Sequence, residues 1–457
     1  MTTRAEIAVI GSGPGGAITA GILAEAGRDV MLLEEGPHLP LESCEPFTLG
    51  EMQQKYRNRG MTVALGRVPI VYVEGQCVGG GSEINSGLYH RTPSDVLAEW
   101  RQQFQVEALT DEDLRPHFEA CERDLSVSRL AEPAPGASLK LQQGAQNLGW
   151  NCLEVPRWFR NSEKQSMTRT FIPRALEAGC RLLVGTRVTR LRRQAGRWRI
   201  ETRPPLEIEA ESVFVCGGAV QTPALLRRSG IKRNIGNSLK MHPTIKVVAR
   251  FPDEVNAPGM GVPVHQVKQF APRYSFGCSI SSRPHLALAM TDHLEEVDNH
   301  WRQMASYYAM TRGGSGTVRA LPGFEDPLVR YRLDAGELTD MAEALRKLSE
   351  CLFAAGAVAL YPSVVGMSCL RSTDDLARIP ATLPRDRTDL MTIHLFSSCP
   401  MGENRQCCAT DSFGRVHGVP GLHVADASLL WGAPGVNPQG SIMALARRNA
   451  LRFLEEL

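Results

Sequence analysis

Gly11-Ser12-Gly13-Pro14-Gly15-Gly16 is the first stretch of the chain with chemistry in it. It follows the apolar run Glu6-Ile7-Ala8-Val9-Ile10 and opens a small-residue helical stretch to Ala26; a second apolar strand, Val30 to Leu33, is closed by Glu34. Residues of these types at this spacing bind a dinucleotide. Gly11 permits a tight turn, Gly13 lets backbone approach a pyrophosphate, and Gly16 lets the helix pack close to the strand. The phosphates would face unpaired amides at the helix N-terminus, beside Ser12. Glu34 stands where a ribose hydroxyl would be read, which disfavours a 2′-phosphate and leaves FAD and NAD open.

A second glycine-rich stretch, Val78-Gly79-Gly80-Gly81-Ser82-Glu83-Ile84-Asn85-Ser86-Gly87, is too long a run of small residues for a simple turn. Missing side chains would let a flat ring system lie against backbone amides, although glycine-rich loops have many uses. Metal chemistry is not indicated, because the chain has neither a C-x-x-C pair nor an H-E-x-x-H stretch. The twelve cysteines are scattered without a repeated spacing, which argues against a disulfide framework and for a reducing, cytoplasmic setting. The vicinal pair Cys407-Cys408 reads as incidental.

Positioning these residues takes a large fold. At 457 residues the chain can hold two or three domains. Its 51 basic and 49 acidic side chains nearly cancel, so no global field argues for nucleic acid or an anionic membrane, and the partner is expected to be small. No apolar run approaches the roughly 18–20 residues that would insert into a bilayer. Thr110 reads as a helix cap, followed by Leu114, Phe118, Cys121 and Leu125 at helical spacing. Short strands are expected at Arg181 to Val184, Val188 to Arg192, Arg197 to Thr202 and Glu211 to Cys216. Further on, Ser306 to Thr311, Thr317 to Leu321 and Leu328 to Leu333 suggest antiparallel strands, and Leu338, Met341, Leu345, Leu348 and Leu352 mark one face of a covering helix. The expected fold class is α/β: a discontinuous Rossmann-like nucleotide domain (1–94, 155–245 and 392–457) with an inserted α+β substrate domain (95–154 and 246–391), an antiparallel sheet covered by helices.

Three C-terminal segments complete the pattern: His394-Leu395-Phe396-Ser397-Ser398-Cys399-Pro400-Met401-Gly402, Gly414 to Ser428, and Gly435-Val436-Asn437-Pro438-Gln439-Gly440-Ser441. With the N-terminal motif and the internal stretch Gly217-Gly218-Ala219-Val220-Gln221-Thr222-Pro223 running to Ser229-Gly230-Ile231, the chain resembles the glucose-methanol-choline (GMC) family of FAD-dependent alcohol oxidoreductases, nearest its cholesterol oxidase and long-chain alcohol oxidase side. The resemblance implies that Gly11, Ser12, Gly13, Gly16 and Glu34 hold the ADP half of FAD, with Val188 at the adenine. It implies that Gly79, Gly80, Gly81, Ser82, Asn85, Gly87, Ala219, Asp426, Ala427 and Pro438 surround the flavin and its ribityl-phosphate arm. His394 falls at the family's catalytic histidine and Asn437 at its second active-site residue. Alcohol oxidation suits that pair: an imidazole can take the hydroxyl proton as hydride leaves for flavin N5, and an amide can hold the same oxygen. His242 is read as structural, and His417 and His423 as flanking strands near the cofactor without taking part.

Departures from the family pattern carry expectations of their own. Ile84 replaces a histidine that tethers FAD in some relatives, so FAD is expected to be noncovalent. Ser397-Ser398 replaces the usual Gly-Thr and puts the local backbone in question. Glu83 stands where relatives often carry a small residue; facing a backbone amide or solvent is the favoured reading, over pairing with a cationic substrate. The resemblance implies oxidation of a small-molecule alcohol, such as a sugar or amino-sugar intermediate, with oxygen or another electron acceptor. The acidic run Asp292, Glu295, Glu296 and Asp298 could attract an amino-sugar or be a solvated surface. A hydroxynitrile-lyase-like enzyme without net redox is the alternative. An NAD-dependent dehydrogenase or a non-catalytic nucleotide-binding protein would explain Gly11 to Glu34 alone.

Overall fold

A computed structural model describes residues 2–40 and 42–457. Its first sheet is built on Thr3–Ile10, whose inward residues Ile7, Ala8 and Val9 are fully buried. This strand runs parallel to Val30–Leu33 on one side and to Ile208–Val215 on the other, and Arg181–Leu183 extends the sheet beyond Val30–Leu33. The strand Ile208–Val215 serves two neighbours along its far edge. Its start pairs antiparallel with Arg197–Arg203, and its end pairs parallel with Leu422–Val424 from near the C-terminus.

Helix Pro14–Glu25 packs on this sheet against the C-terminal helix Gln439–Glu455 and helix Phe171–Glu177. Its composition is Gly, Ala, Ile, Thr and Leu because it is buried nearly all round. A Cβ on Gly16 would lie 1.9 Å from the Gly11 carbonyl oxygen, and one on Gly15 would lie 1.8 Å from that of Ala425. Gly16 thus serves the close helix–strand packing expected of it. Gly15 does the same toward the C-terminal strand.

The second sheet has nine strands. Along it lie Thr62–Ala64, Ile70–Tyr72, Leu390–Thr392, Thr244–Arg250, Met304–Thr311, Tyr274–Cys278, His265–Val267 and Cys152–Glu154, with Ala359–Pro362 also paired to Thr244–Arg250. Helix Ala335–Ala354 covers one face; its capping box joins Asp334 to Glu337, and the stripe Leu338, Met341, Leu345, Leu348 and Leu352 is buried. The other face forms a wall of the cavity described below.

Three details differ from the sequence expectations. Thr62–Ala64 and Ile70–Tyr72, placed by sequence in the nucleotide part, belong to the nine-stranded sheet. Helices Ser94–Phe104 and Asp111–Asp124, placed in the other part, bury Val96, Leu97, Trp100, Leu114 and Phe118 in the core under the first sheet, because helix Asp111–Asp124 packs on the C-terminal helix. The strands Ser315–Arg319 and Leu328–Arg332 pair as a separate ribbon rather than continuing from Met304–Thr311. Sequence periodicity finds strands but not which edge they join.

Candidate active site

A cavity of about 910 Å³ runs between the two sheets. Glu34, Val188 and Arg187 line it at the first sheet, and His394, Asn437, Thr244 and Lys246 line it at the second. Of the residues expected to hold a dinucleotide, Gly11, Ser12, Gly13, Glu34, Gly80, Gly81, Asn85, Gly87, Val188, Ala219, Asp426, Ala427 and Pro438 line it. Gly16, Gly79 and Ser82 do not, and act one layer behind.

At the nucleotide end, Gly11 makes the turn with φ +98°. The carboxylate of Glu34 accepts from the Ser12 amide (3.0 Å), the Ser12 hydroxyl (2.6 Å) and the Gly36 amide (2.9 Å). Burial pushes its pKa up, while these donors pull it back. The Ser12 hydroxyl also accepts from the Gly79 amide at 3.1 Å, which ties the two glycine-rich segments together. Ser82 donates to the Gly79 carbonyl and accepts from the Met167 amide, so its part is to hold the loop.

The residues fit FAD on one specific test. An added Cβ at Gly13, Gly81 or Gly218 would meet no protein atom within 4 Å, although all three belong to segments that line the cavity. Gly13 caps helix Pro14–Glu25 without any side-chain bond, leaving its first amides free for phosphate oxygens. Around the ring end, Asn85 donates to Gln439 (2.6 Å) and accepts from the Gly87 amide. Asp426 binds the Gly218 amide, Thr222 and Ser428, joining the internal signature to the C-terminal one. Ile84 lines the cavity where some relatives have their tethering histidine.

Glu83 takes the favoured course. It accepts from the Thr168 backbone amide at 3.4 Å and from the Thr168 hydroxyl at 3.0 Å, and lies outside the cavity lining. Ser397 has φ +69°, the left-handed region that a glycine would enter without cost, and its buried hydroxyl has no partner. Ser397 therefore sits with strain where a glycine would not. His417 bonds the Gly402 carbonyl and His423 stacks on Phe214, both away from the cavity.

His394 lies in the bend between Leu390–Thr392 and Leu395–Phe396, held by its amide to the Thr392 hydroxyl at 3.1 Å. The short ladder of Lys240–Met241 with Leu395–Phe396 brings His242 beside it. The two Nδ1 atoms are 3.0 Å apart, and His242 Nε2 accepts from the Gly435 amide at 3.0 Å. Burial, with lesser contributions from nearby cations, lowers both imidazoles, His394 to about 4, so both are neutral near pH 7.

The partners then assign the hydrogens. An amide can only donate, so His242 Nε2 is bare and its proton is on Nδ1. That proton is given to His394 Nδ1, which leaves the hydrogen of neutral His394 on Nε2. This nitrogen bonds no protein group, is not sealed off, and belongs to a cavity-lining ring. His242, read from sequence as structural, is therefore a positioning residue for His394. No spacing in the sequence shows this, because the ladder that joins them spans more than a hundred residues.

Asn437 Oδ1 accepts from Gln266 Nε2 at 3.0 Å, and the same nitrogen donates to the Tyr308 hydroxyl at 3.1 Å. The amide nitrogen of Asn437 is thereby turned to the free side, and Asn437 lines the cavity. Gln266 and Tyr308 carry no sequence signal of this role. Lys268 stands behind the pair, bonded to the Gly435 carbonyl and the Ser275 hydroxyl, its pKa lowered to about 8 by burial.

A dinucleotide cradle opening into a cavity that ends at an imidazole and an amide defines a cofactor-dependent oxidoreductase. Comparison with known proteins gives the family. Signatures of GMC oxidoreductases match residues 52–244 and 315–446. A GMC-type oxidoreductase of Sinorhizobium fredii, y4nJ, is 39% identical over 98% of this chain and 94% of its own. The long-chain-alcohol oxidase FAO3 of Arabidopsis thaliana is 26% identical, over 97% of this chain and 67% of its own. Among solved structures, a formate oxidase variant from Aspergillus oryzae shares the fold with a TM-score of 0.77, 15% identity and coverage of 100% and 99%. The chain belongs to the GMC oxidoreductase family. It is an FAD-dependent alcohol oxidoreductase.

Proposed function

We propose that His394 and Asn437 hold the hydroxyl of a small-molecule alcohol in the cavity and that His394 receives its proton. One observation carries this reading: His394 Nε2 and the Asn437 amide nitrogen, fixed side by side through Gly435 and Gln266, are left without protein partners among the described residues in the cavity that the glycine cradle also opens into. Bound FAD supplies the hydride acceptor. With Ile84 at the tethering place, it is held noncovalently.

In the resting arrangement both groups donate toward the substrate oxygen, which favours developing negative charge there. Acting as a base asks more of His394. Its hydrogen must sit on Nδ1, facing His242, so that Nε2 is bare. The two rings must therefore exchange tautomers through water, and His242 then turns an N–H toward Gly435, whose amide must give way. After taking the hydroxyl proton, the His394 imidazolium donates through Nδ1 to the His242 lone pair.

The carbonyl product leaves, and oxygen or another acceptor receives the electrons. Asp292, Glu295, Glu296 and Asp298 do not line the cavity, Glu296 being bonded to Arg250 and Tyr361 and Asp298 to Arg283, so they give no support to an amino-sugar substrate. Neither the site nor the relatives favour the lyase reading. All twelve cysteines are free thiols, and no described helix is long and apolar enough to cross a membrane; the thiols support a reducing, cytoplasmic setting.

Anaerobic titration with primary and secondary alcohols tests the proposal. Flavin absorbance should bleach with one class of alcohol, and His394→Ala should keep bound FAD while losing most of that reduction. Wild-type bleaching in the variant would remove His394 from the mechanism.

A further inference from the structure

On the strand Thr244–Arg250, alternate residues divide cleanly between two faces. Ile245, Val247 and Ala249 belong to the core with helix Ala335–Ala354. Thr244 and Lys246 line the cavity. Lys246 pairs across the sheet with Tyr308, which lines the cavity too and whose hydroxyl shares Gln266 with Asn437. Lys246 is therefore one cross-strand step, about 5 Å between Cβ atoms, from Tyr308.

The ammonium of Lys246 has no partner among the described residues. It forms no ion pair and no hydrogen bond, and it is not sealed off. Other lysines around the site are satisfied: Lys268 by Gly435 and Ser275, Lys164 by the carbonyls of Glu83 and Asn85. His285 on the same wall bonds Ser282 and is neutral near pH 7. Asp389 also lines the cavity, but it is exposed and makes no ion pair with Lys246. Burial alone pulls Lys246 down to about 8, with no carboxylate to hold it up. A cation placed in a cavity without a counter-charge is costly unless a ligand brings one.

We infer that Lys246 is an anion-binding group of the substrate pocket, and that the alcohol oxidised here carries a carboxylate at the end remote from its hydroxyl. This rests on the alcohol-oxidation reading above. A lone ammonium suits a monoanion, because phosphate sites usually gather Arg forks or several amides. Val262, Ile280, Met310 and Ile393 also line the cavity and offer apolar surface to a hydrocarbon spacer. The substrate class is a hydroxy acid with an apolar middle.

The holoenzyme is assayed in steady state, with oxygen or an added dye as electron acceptor, on a homologous series of unbranched ω-hydroxy carboxylates and their methyl esters. At one chain length the acid should show a KM lower than the ester's by about tenfold or more, the usual worth of a partly buried charge pair. Lys246→Met should abolish that discrimination, acid and ester then agreeing within about threefold. Equal wild-type KM values along the whole series, or a preference that survives in Lys246→Met, would overturn the inference. A separate calorimetric titration uses hexanoate, which has no hydroxyl to oxidise. Binding by wild type and not by Lys246→Met upholds the anion site even if no alcohol bleaches the flavin, in which case the alcohol-oxidation reading fails alone. Absence of hexanoate binding by wild type, together with no acid preference, sinks the anion site.

Discussion

His242 Nδ1 and His394 Nδ1 lie 3.0 Å apart, and the Gly435 amide on the far side of His242 decides which of them carries the shared proton. Gly435 is two residues from Asn437, so the backbone that fixes the histidine tautomers also carries the second active-site side chain.

Nitrogen NMR of histidine-labelled enzyme checks the tautomers. At pH 7 His394 should be protonated on Nε2 and His242 on Nδ1. His242→Ala should keep FAD yet lower the rate of flavin reduction by about 10–100-fold, since His394 loses its orienting partner. It should also flatten any tautomer preference at His394, which a purely structural role would leave intact. An unchanged His394 spectrum in the variant would contradict the assignment.

Acid should unfold the protein through its histidines. His90, His117, His242, His265, His285, His394 and His423 all have pKa values lowered chiefly by burial, four of them to about 4 and His90 to about 3. As pH falls from 6.5 toward 4, the unfolded chain takes up protons that the folded chain refuses, so this contribution, complete above 6.5, is lost across that window. Glu34, Glu74 and Asp426, raised by burial, pull the other way in part. Urea midpoints measured between pH 7 and 4 should fall steadily; a flat profile would show that these imidazoles are not buried as described.

Ser397→Gly should stabilise the fold. The substitution removes a side chain held at φ +69° and a buried hydroxyl with no partner. Relief of both, less the extra entropy of glycine in the unfolded chain, comes to about 1 kcal/mol. Thermal or urea unfolding of the two proteins side by side measures it.

Gly13→Ala and Gly16→Ala should fail differently. The Gly13 Cβ meets nothing within 4 Å, and its φ of −64° suits alanine, so the fold should survive while FAD binding weakens by about tenfold or more. The Gly16 Cβ would sit 1.9 Å from the Gly11 carbonyl oxygen, which costs about 3 kcal/mol or more of stability. Equal FAD affinity in wild type and Gly13→Ala would mean that the cradle does not face the cofactor.

Much of the cofactor end was legible in the sequence because it is local. Gly11 to Glu34 is one strand-turn-helix-strand unit, and each glycine's duty follows from its place in it. His394 and Asn437 came only through the family pattern, since a lone imidazole or amide has no spacing to betray it. His242, Gln266, Tyr308 and Lys246 were beyond reach for a different reason. Their roles come from strand register between distant segments, such as Lys246 opposite Tyr308, and register is set by edges that alternating hydrophobicity does not name. The misplaced strands Thr62–Ala64 and Ile70–Tyr72 have the same cause.

The contact of Gly15 with the Ala425 carbonyl has a consequence for how the protein is made. Helix Pro14–Glu25 leaves the ribosome about four hundred residues before Ala425 and helix Gln439–Glu455, which seat it. Contacts of such sequence separation close late in folding. A nascent chain thus carries an unfinished nucleotide turn until Ala425 and helix Gln439–Glu455 have emerged, and the capture of FAD waits for them.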